Sequence, residues 1–348
     1  MIPLLEKFFK DKESLGCDMG DSSIKFVHIE KGKTSLSLKS VGILETDILT
    51  ESNVALQRTK AYLREHGLAG GKVSVNVEDK TLRIRRMDLP PMPANDMKIA
   101  IRWNFRDHLD GPVEKYSITY SEVNNIKAEG DSRPVVAYGV ANEAIEKIMK
   151  ILKLVGLKAS SIEPNATALF AAFDQNVGWD DKKYHAIIDI GTIVANFVVV
   201  GQGELLFSRP LKDVGCAALI KMIAKEAGVP QEAAAQLLRA HQKQGEAGQA
   251  EDQRVQPVVA NFLGQAVVEI QRSVDAFCLM FNVELVDSIY LCGGGGMIPG
   301  ICEYVTKNLG IATKLFNPFD RIDTSEVVGG IMNPQLYAVA VGLALPRS

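Results

Sequence analysis

The segment LGCDMGDSSIKFVHIEKGK, residues 15–33, sets a short apolar strand before an Asp18-Met19-Gly20 turn. A second strand follows, then a turn at Lys31-Gly32-Lys33 into a third strand, Ser35 to Val41, where Leu36 and Leu38 alternate with polar residues. Residues 185–208, HAIIDIGTIVANFVVVGQGELLFS, repeat the scheme. Here Ile187-Ile188 precede Asp189-Ile190-Gly191, a strand runs through Val200, and Gly201-Gln202-Gly203 turns it into Leu205 to Ser208. In both copies the turn glycine lies 14 residues after the aspartate, Asp18 to Gly32 and Asp189 to Gly203. One Asp-x-Gly says little, but two at equal spacing in the same strand–turn–strand setting predict a duplicated α/β domain.

Helices follow each copy. Ala55, Leu56, Tyr62 and Leu63 mark one face of a helix that stops before Gly67. After the second copy, Ala217 to Ala227 reads as a helix ended by Gly228 and Pro230. A long helix is expected from Val258 to Phe281, because Phe262, Leu263, Ala266, Ile270, Val274, Phe277 and Phe281 recur at three- and four-residue steps. Between Ala240 and Gln256 the chain turns polar and reads as a helix end with an exposed loop. Downstream, SIYLCGGGGMIPGICEYV ends a strand at Cys292, runs through four glycines and starts a helix after Pro299-Gly300. Glycines at such a junction admit a flat ring or backbone donors without Cβ collisions, though the run alone equally fits a tight turn.

Composition removes several classes. The 348 residues have room for two domains, and a net charge of −3 with no basic excess argues against nucleic acid as a partner. Arg83, Arg85 and Arg86, the densest basic cluster, alternate with Leu82 and Ile84 and read as the solvated face of a strand. Cys17, Cys216, Cys278, Cys292 and Cys302 form no CxxC pair and are expected as buried free thiols of a reducing compartment. The histidines show no metal-binding spacing. No run reaches the ~20 apolar residues of a membrane span, and no signal peptide is expected. Met1 to Lys10 reads as a short helix packed on the body or a frayed end.

Phosphoryl transfer asks for amide donors around phosphates, a divalent ion and a group that orients water. Two turns of small residues can grip a polyphosphate from both sides through backbone N–H groups. Asp18 and Asp189 suit the water shell of Mg2+, although each can equally cap its own turn. Glu163, before Pro164 in ASSIEPNATALFAAF, is the candidate water-orienting catalytic carboxylate; the plainer reading is a helix-start residue favoured by the dipole. Lys25 alternates with Ile24 and Phe26 as a strand-face lysine does.

Together these residues resemble the superfamily of actin, sugar kinases and seventy-kilodalton heat-shock chaperones. Asp18, Gly20, Asp21, Ser22, Ser23 and Lys25 resemble its first phosphate loop, and Asp189, Gly191 and Thr192, with Gly215, its second. Glu163-Pro164 resembles the first connecting segment, and the helix with Ala338 and Gly342 the second. Gly293, Gly294, Gly295 and Gly296 with Gly300 resemble the adenosine loop. The resemblance implies an α/β, actin-like (ribonuclease H-like) fold of duplicated domains with a small inserted α+β subdomain. The expected division is 11–185 with an insertion at about 81–150, then 186–337 with a small subdomain at about 229–257, then a connecting helix at 338–348. ATP or ADP with Mg2+ is the implied cofactor, the metal held through water by Asp18 and Asp189.

Within the superfamily, MDLPPMPANDMKIAIRWNFRDHL at residues 87–109 resembles the type IV pilus assembly PilM family, through Leu89-Pro90-Pro91-Met92-Pro93 and Arg102-Trp103. Tyr116 to Val123 and Val135 to Gly139 are expected strands of the insertion, and Ala144 to Val155 a helix. This resemblance implies a cytoplasmic protein, peripheral at the inner membrane. It would bind the N-terminal cytoplasmic peptide of a PilN-like protein in a pilus or related secretion platform, with other platform proteins as further partners. Trp103 and Phe105 are expected to influence that groove. Departures bear on the nucleotide. Asp21 stands for Ser or Thr, Ala195 for Thr, and Ala235 and Leu238 for Glu and Lys, each typically costing about 1–3 kcal/mol of nucleotide binding. A scaffold with weak or absent nucleotide binding, at most a weak ATPase, is the leading expectation. An active ATPase or small-molecule kinase is the alternative. The related division protein FtsA is disfavoured because the chain stops at Leu345-Pro346-Arg347-Ser348 with no amphipathic helix, and a chaperone because no peptide-binding domain follows the connecting helix.

Overall fold

A computed structural model describes residues 13–346 except 34, 124–131, 181, 244–253 and 328. The expectation for Met1 to Lys10 lies outside the described residues, as does most of the expected loop between Ala240 and Gln256. Strands β1 (Glu13–Met19), β2 (Ile24–Lys31) and β3 (Leu36–Leu44) open the chain, followed by helix α1 (Asn53–Glu65) and β4 (Lys72–Val77). Then come β5 (Arg83–Leu89), α2 (Ala94–Phe105), β6 (Tyr116–Glu122) and β7 (Arg133–Ala141). The first half ends with α3 (Asn142–Val155), β8 (Lys158–Pro164) and α4 (Asn165–Asn176). The second has β9 (Tyr184–Ile190), β10 (Ala195–Gly201), β11 (Glu204–Leu211), α5 (Cys216–Ala227), α6 (Gln231–Gln242) and α7 (Val255–Phe281). It closes with β12 (Ser288–Cys292), α8 (Ile301–Leu309), β13 (Ala312–Leu315) and α9 (Ala338–Ala344).

Two five-stranded sheets share one topology, β3-β2-β1-β4-β8 and β11-β10-β9-β12-β13. In each, the first three strands form an antiparallel meander and the last two run parallel to the first. The duplication expected from the two Asp-x-Gly segments is therefore present strand by strand. Local chemistry sets the elements: Ser52 Oγ accepts from Ala55 N at 3.2 Å to cap α1, and α3 and α5 stop at Gly156 and Gly228 in left-handed conformation. Every residue of β10 is buried, which explains why it is apolar apart from Asn196.

Helices α4 and α9 lie between the sheets and share one apolar core with Val27, Ile29 and Leu38 of the first sheet and Ile187, Val198 and Val200 of the second. They cross so closely that a Cβ at Gly342 would run into the backbone of Ala168. Each half also has an outer core. Among the described residues the five thiols are free, Cys17 and Cys292 fully buried and the others half-buried.

The inserted sheet, β5-β7-β6, covers α2 through Leu89, Met97, Ile101, Phe105, Val135 and Ala137. Two expectations change here. Helix α3, assigned to the insertion, instead packs Ile148, Ile151, Leu152 and Val155 into the outer core of the first half with Leu56 and Leu63. The arginines of β5 are not all solvated: Arg86 stacks over Phe281 at 4.7 Å and pairs with Asp88, Arg83 pairs with Asp110 at 2.6 Å, and only Arg85 is exposed. The reason is tertiary. This edge strand lies against β11 and the end of α7.

Candidate functional site

The two Asp-x-Gly turns close in the same way, Gly20 N donating to Ser23 O at 3.0 Å and Gly191 N to Val194 O at 3.1 Å. Cross-strand register then sets their chemistry. Lys25 stands opposite Asp18, and its Nζ donates to Asp18 Oδ2 at 2.8 Å. Lys25 thus points into the site and is no solvent-facing strand lysine: only 14% of its side chain is exposed. Asn76, at the end of β4, donates from Nδ2 to Asp18 Oδ1 at 3.0 Å and to Asn165 Oδ1 at 2.9 Å, and accepts from Met19 N at 2.7 Å. One amide thereby fixes the first loop to the sheet and to the start of α4.

At the second loop the residue opposite Asp189 is Asn196. Its Nδ2 donates across the halves to Glu78 Oε2 at 3.3 Å. The first turn of α5 holds the loop from behind, Cys216 N donating to Gly191 O at 3.0 Å and Ala217 N to Thr192 O at 2.8 Å. Gly215 is forced here, since a Cβ would strike the carbonyls of Ile193 and Thr192. Gly293, with φ +76°, lies against Asp189 and Ile190 with no room for a Cβ, and its N–H donates to Gln335 O at 3.0 Å. Gly294, Gly295 and Gly296 complete the floor, Gly295 against Ile190, while Gln242 Nε2 from α6 donates to Gly294 O at 3.0 Å.

The loops also grip each other. Ser22 Oγ and Thr192 Oγ1 lie 2.7 Å apart, and the Asp21 carboxylate faces the backbone of Ile193 in the second loop.

Asp18, Asp21, Glu78 and Asp189 crowd one lysine. Burial, and then the charge of Asp18, lift Asp189 to about 6 against a smaller opposing pull from Lys25. Enclosure by the two halves and the charges of Asp189, Asp21 and Asp18 push Glu78 up to about 8. Water still reaches the Glu78 side chain, so the like-charge crowding is the firmer part of that rise. Burial also raises Asp21, helped by Asp47 and Asp18 and opposed by the Ile193 amide. For Lys25, burial pulls the pKa down, but Asp18 and then Asp189 outweigh it and keep the ammonium charged.

This excess of oxygen charge suits a hard, hydrated divalent cation reached through water by Asp18 and Asp189. No three His, Cys, Asp or Glu groups among the described residues are placed to ligate a metal directly. The Asp21 charge beside Ile193 works against a polyphosphate at these turns.

The expected residues Asp18, Gly20, Asp21, Ser22, Ser23, Lys25, Asp189, Gly191, Thr192, Gly215 and Gly293 to Gly296 gather around this cleft. Glu163, on the edge strand β8, pairs in register with Asn76, the residue that holds Asp18, and its carboxylate accepts from Ser161 Oγ at 2.9 Å. Glu78, just past the end of β4, brings a further carboxylate to the cleft and accepts from Asn196. Leu238 is buried in the outer core of the second half. Phe105 is fully buried under Gly139, so it supports the inserted sheet and cannot touch a partner. Trp103 is 67% exposed beneath the Arg106 guanidinium, 4.4 Å from the ring centre. Sequence reasoning missed Asn76, Glu78, Asn196 and Gln242. Asparagine inside the apolar strands KVSVNV and ANFVVVG was the signal for two of them.

A model of the family described as type IV pilus assembly protein PilM matches residues 16–348. Among solved structures, a PilM–PilN type IV pilus biogenesis complex is similar at 20% identity, covering 95% of this chain and 97% of that one with a TM-score of 0.81. The ethanolamine utilization protein EutJ from Carboxydothermus hydrogenoformans is similar at 12% identity, covering 95% of this chain and 89% of that one with a TM-score of 0.57. These likenesses establish the α/β, actin-like fold.

Proposed function

This chain belongs to the PilM family of type IV pilus assembly proteins, and from that premise we propose that it is an actin-like scaffold of a pilus or related secretion platform. It binds the N-terminal cytoplasmic peptide of a PilN-like inner-membrane protein and is held at the membrane through that partner. The family match across residues 16–348 carries this reading, supported by likeness to a PilM–PilN complex over 95% of the chain. No helix among the described residues is long and apolar enough to cross a membrane, so attachment through a partner is consistent with the fold. Trp103, exposed on α2 one turn from the equally exposed Ile99, is the side chain we assign to the partner surface. Titrating the synthetic PilN-like peptide by calorimetry tests the scaffold role; no heat with or without ATP and Mg2+ overturns it.

ATP or ADP with Mg2+ serves here as a switch between the loops rather than as fuel. Asp18 and Asp189 would hold the ion through water, the turn amides the phosphates, and Gly293 to Gly296 the base. When bound, the ion supplies neutralising charge for the phosphates. Asp21 opposes binding through its charge beside Ile193, and ligand entry must part Ser22 from Thr192. An active ATPase or small-molecule kinase is the second reading, and one observation favours it. Glu78 faces the cleft with a pKa of about 8, close to neutrality where a general base works best. ATP turnover well above background, abolished in Glu78→Gln, would select it.

A further inference from the structure

The first half carries a second concentration of charge at the far end of its sheet. β4 and β8 run parallel, with Asn76 and Glu163 paired at the cleft end and Lys72 and Lys158 paired at the other. The C-terminal ends of α1 and α3 meet beside those two lysines, where Gly70 N donates to Gly156 O at 3.1 Å and Lys158 N to Gly71 O at 3.0 Å. Between the helix ends lies an open bowl of about 290 Å³ walled by Lys60, Arg64, Gly70, Lys153, Leu154 and Gly156. Among the described residues, Lys60, Arg64 and Lys153 have no carboxylate partner. Residues 147–158 contain four lysines and no acid, although the chain as a whole carries −3.

A simpler account is that Arg64 and Lys153, in the last turns of their helices, offset the dipoles. That covers each residue singly. It does not explain why two helices deliver their cations into one cavity, nor why Lys60, a turn earlier, joins them. Nor does it explain Met149 and Leu154, exposed on α3 at 47% and 39% beside the cations. Cations gathered in an open bowl with apolar side chains at its margin suit an anion attached to an apolar layer better than a small free one.

We propose that this bowl docks the phosphate of an anionic phospholipid headgroup, so that the first half rests against the bilayer with Lys60, Arg64 and Lys153 turned towards it. The inference rests on the reading of the protein as a membrane-platform scaffold, which brings it within reach of a lipid surface. Lys72 and Lys158 widen the positive field around the bowl, and the acidic cleft lies at the opposite end of the sheet, away from the lipid charge.

Sedimentation of the full chain with vesicles about one-third phosphatidylglycerol, against pure phosphatidylcholine, tests the proposal. Binding is expected only to the anionic vesicles and should weaken as salt rises. The triple variant Lys60→Gln, Arg64→Gln, Lys153→Gln should bind them about a hundredfold more weakly, at roughly fivefold per charge removed near an anionic surface. Its melting temperature and peptide binding are the control for folding, and single Lys153→Gln serves if the triple variant unfolds. Equal sedimentation with both lipids, or undiminished binding by the variants, overturns the proposal. Tight binding of inorganic phosphate or pyrophosphate that vesicles fail to displace assigns the bowl to a soluble phosphate and overturns the lipid. Lipid binding without peptide binding removes the scaffold reading and leaves the bowl standing.

Discussion

The two Asp-x-Gly loops have the same backbone and opposite means of handling charge. In the first, β2 brings Lys25 opposite Asp18, and Asn76 completes the shell, so the carboxylate is compensated within its own half. In the second, β10 brings Asn196 opposite Asp189, which turns away to Glu78 and leaves Asp189 to share the field of Lys25. One cross-strand position has made one loop self-sufficient and the other dependent on its neighbour. Duplication preserved the strand order, because burial on both faces fixes register. The polar residues that line the cleft were free to diverge.

The largest expected effect comes from removing the shared cation. Lys25→Met strips Asp18 of its cation partner and Asp189 of the cation that offsets it in the cleft, and should cost about 3–5 kcal/mol in urea unfolding, as for a broken buried pair. Asn196→Ala should cost about 1 kcal/mol. Equal costs would break the comparison.

Asp21→Ser removes a negative charge from the phosphate slot beside Ile193. Nucleotide affinity in a fluorescent-ATP titration should rise ten- to hundredfold, from about 1–3 kcal/mol. An unchanged affinity would mean that the first loop does not contact phosphate.

The third test is pH. Asp189 and Glu78 have ordinary values of 3.8 and 4.5 but titrate at about 6 and about 8 in the fold, so the folded state holds more protons than the unfolded one between pH 4 and 8. Their contribution to stability is full below pH 4, is lost as pH rises through 6 and then 8, and is flat above. The unfolding free energy from urea titrations should fall over that window by about 1–2 kcal/mol after solvent screening, and Glu78→Gln should flatten the upper part. The smallest effect is expected for Ser22→Ala, which deletes the exposed bond to Thr192. Stability should change by less than about 1 kcal/mol, while amide exchange at Ile193 quickens.

Most of the architecture was legible because it repeats. The spacing from Asp18 to Gly32 and from Asp189 to Gly203, the apolar face of α7 and the glycines after Cys292 are local patterns, and each forms the element it predicts. The cleft was legible in part. Glycines and aspartates in turns announce themselves, whereas Asn76, Glu78 and Asn196 sit at the ends of unremarkable strands and matter only through what lies across the gap. Phe105 and Trp103 show the limit on a single helix, where two aromatics two residues apart face opposite ways and only packing tells which is core.

By itself, the sequence determined the two α/β halves, their turns and the family to which they belong, because strand alternation, helix periodicity and glycine placement are short-range consequences of backbone geometry. Tertiary structure alone decided that Lys25 serves both aspartates, that Glu78 meets Asn196 across the cleft, and that Asp21 faces the opposite loop. Charge acts through space, and its strength in a partly dehydrated cleft depends on which groups the fold has brought within a few ångströms.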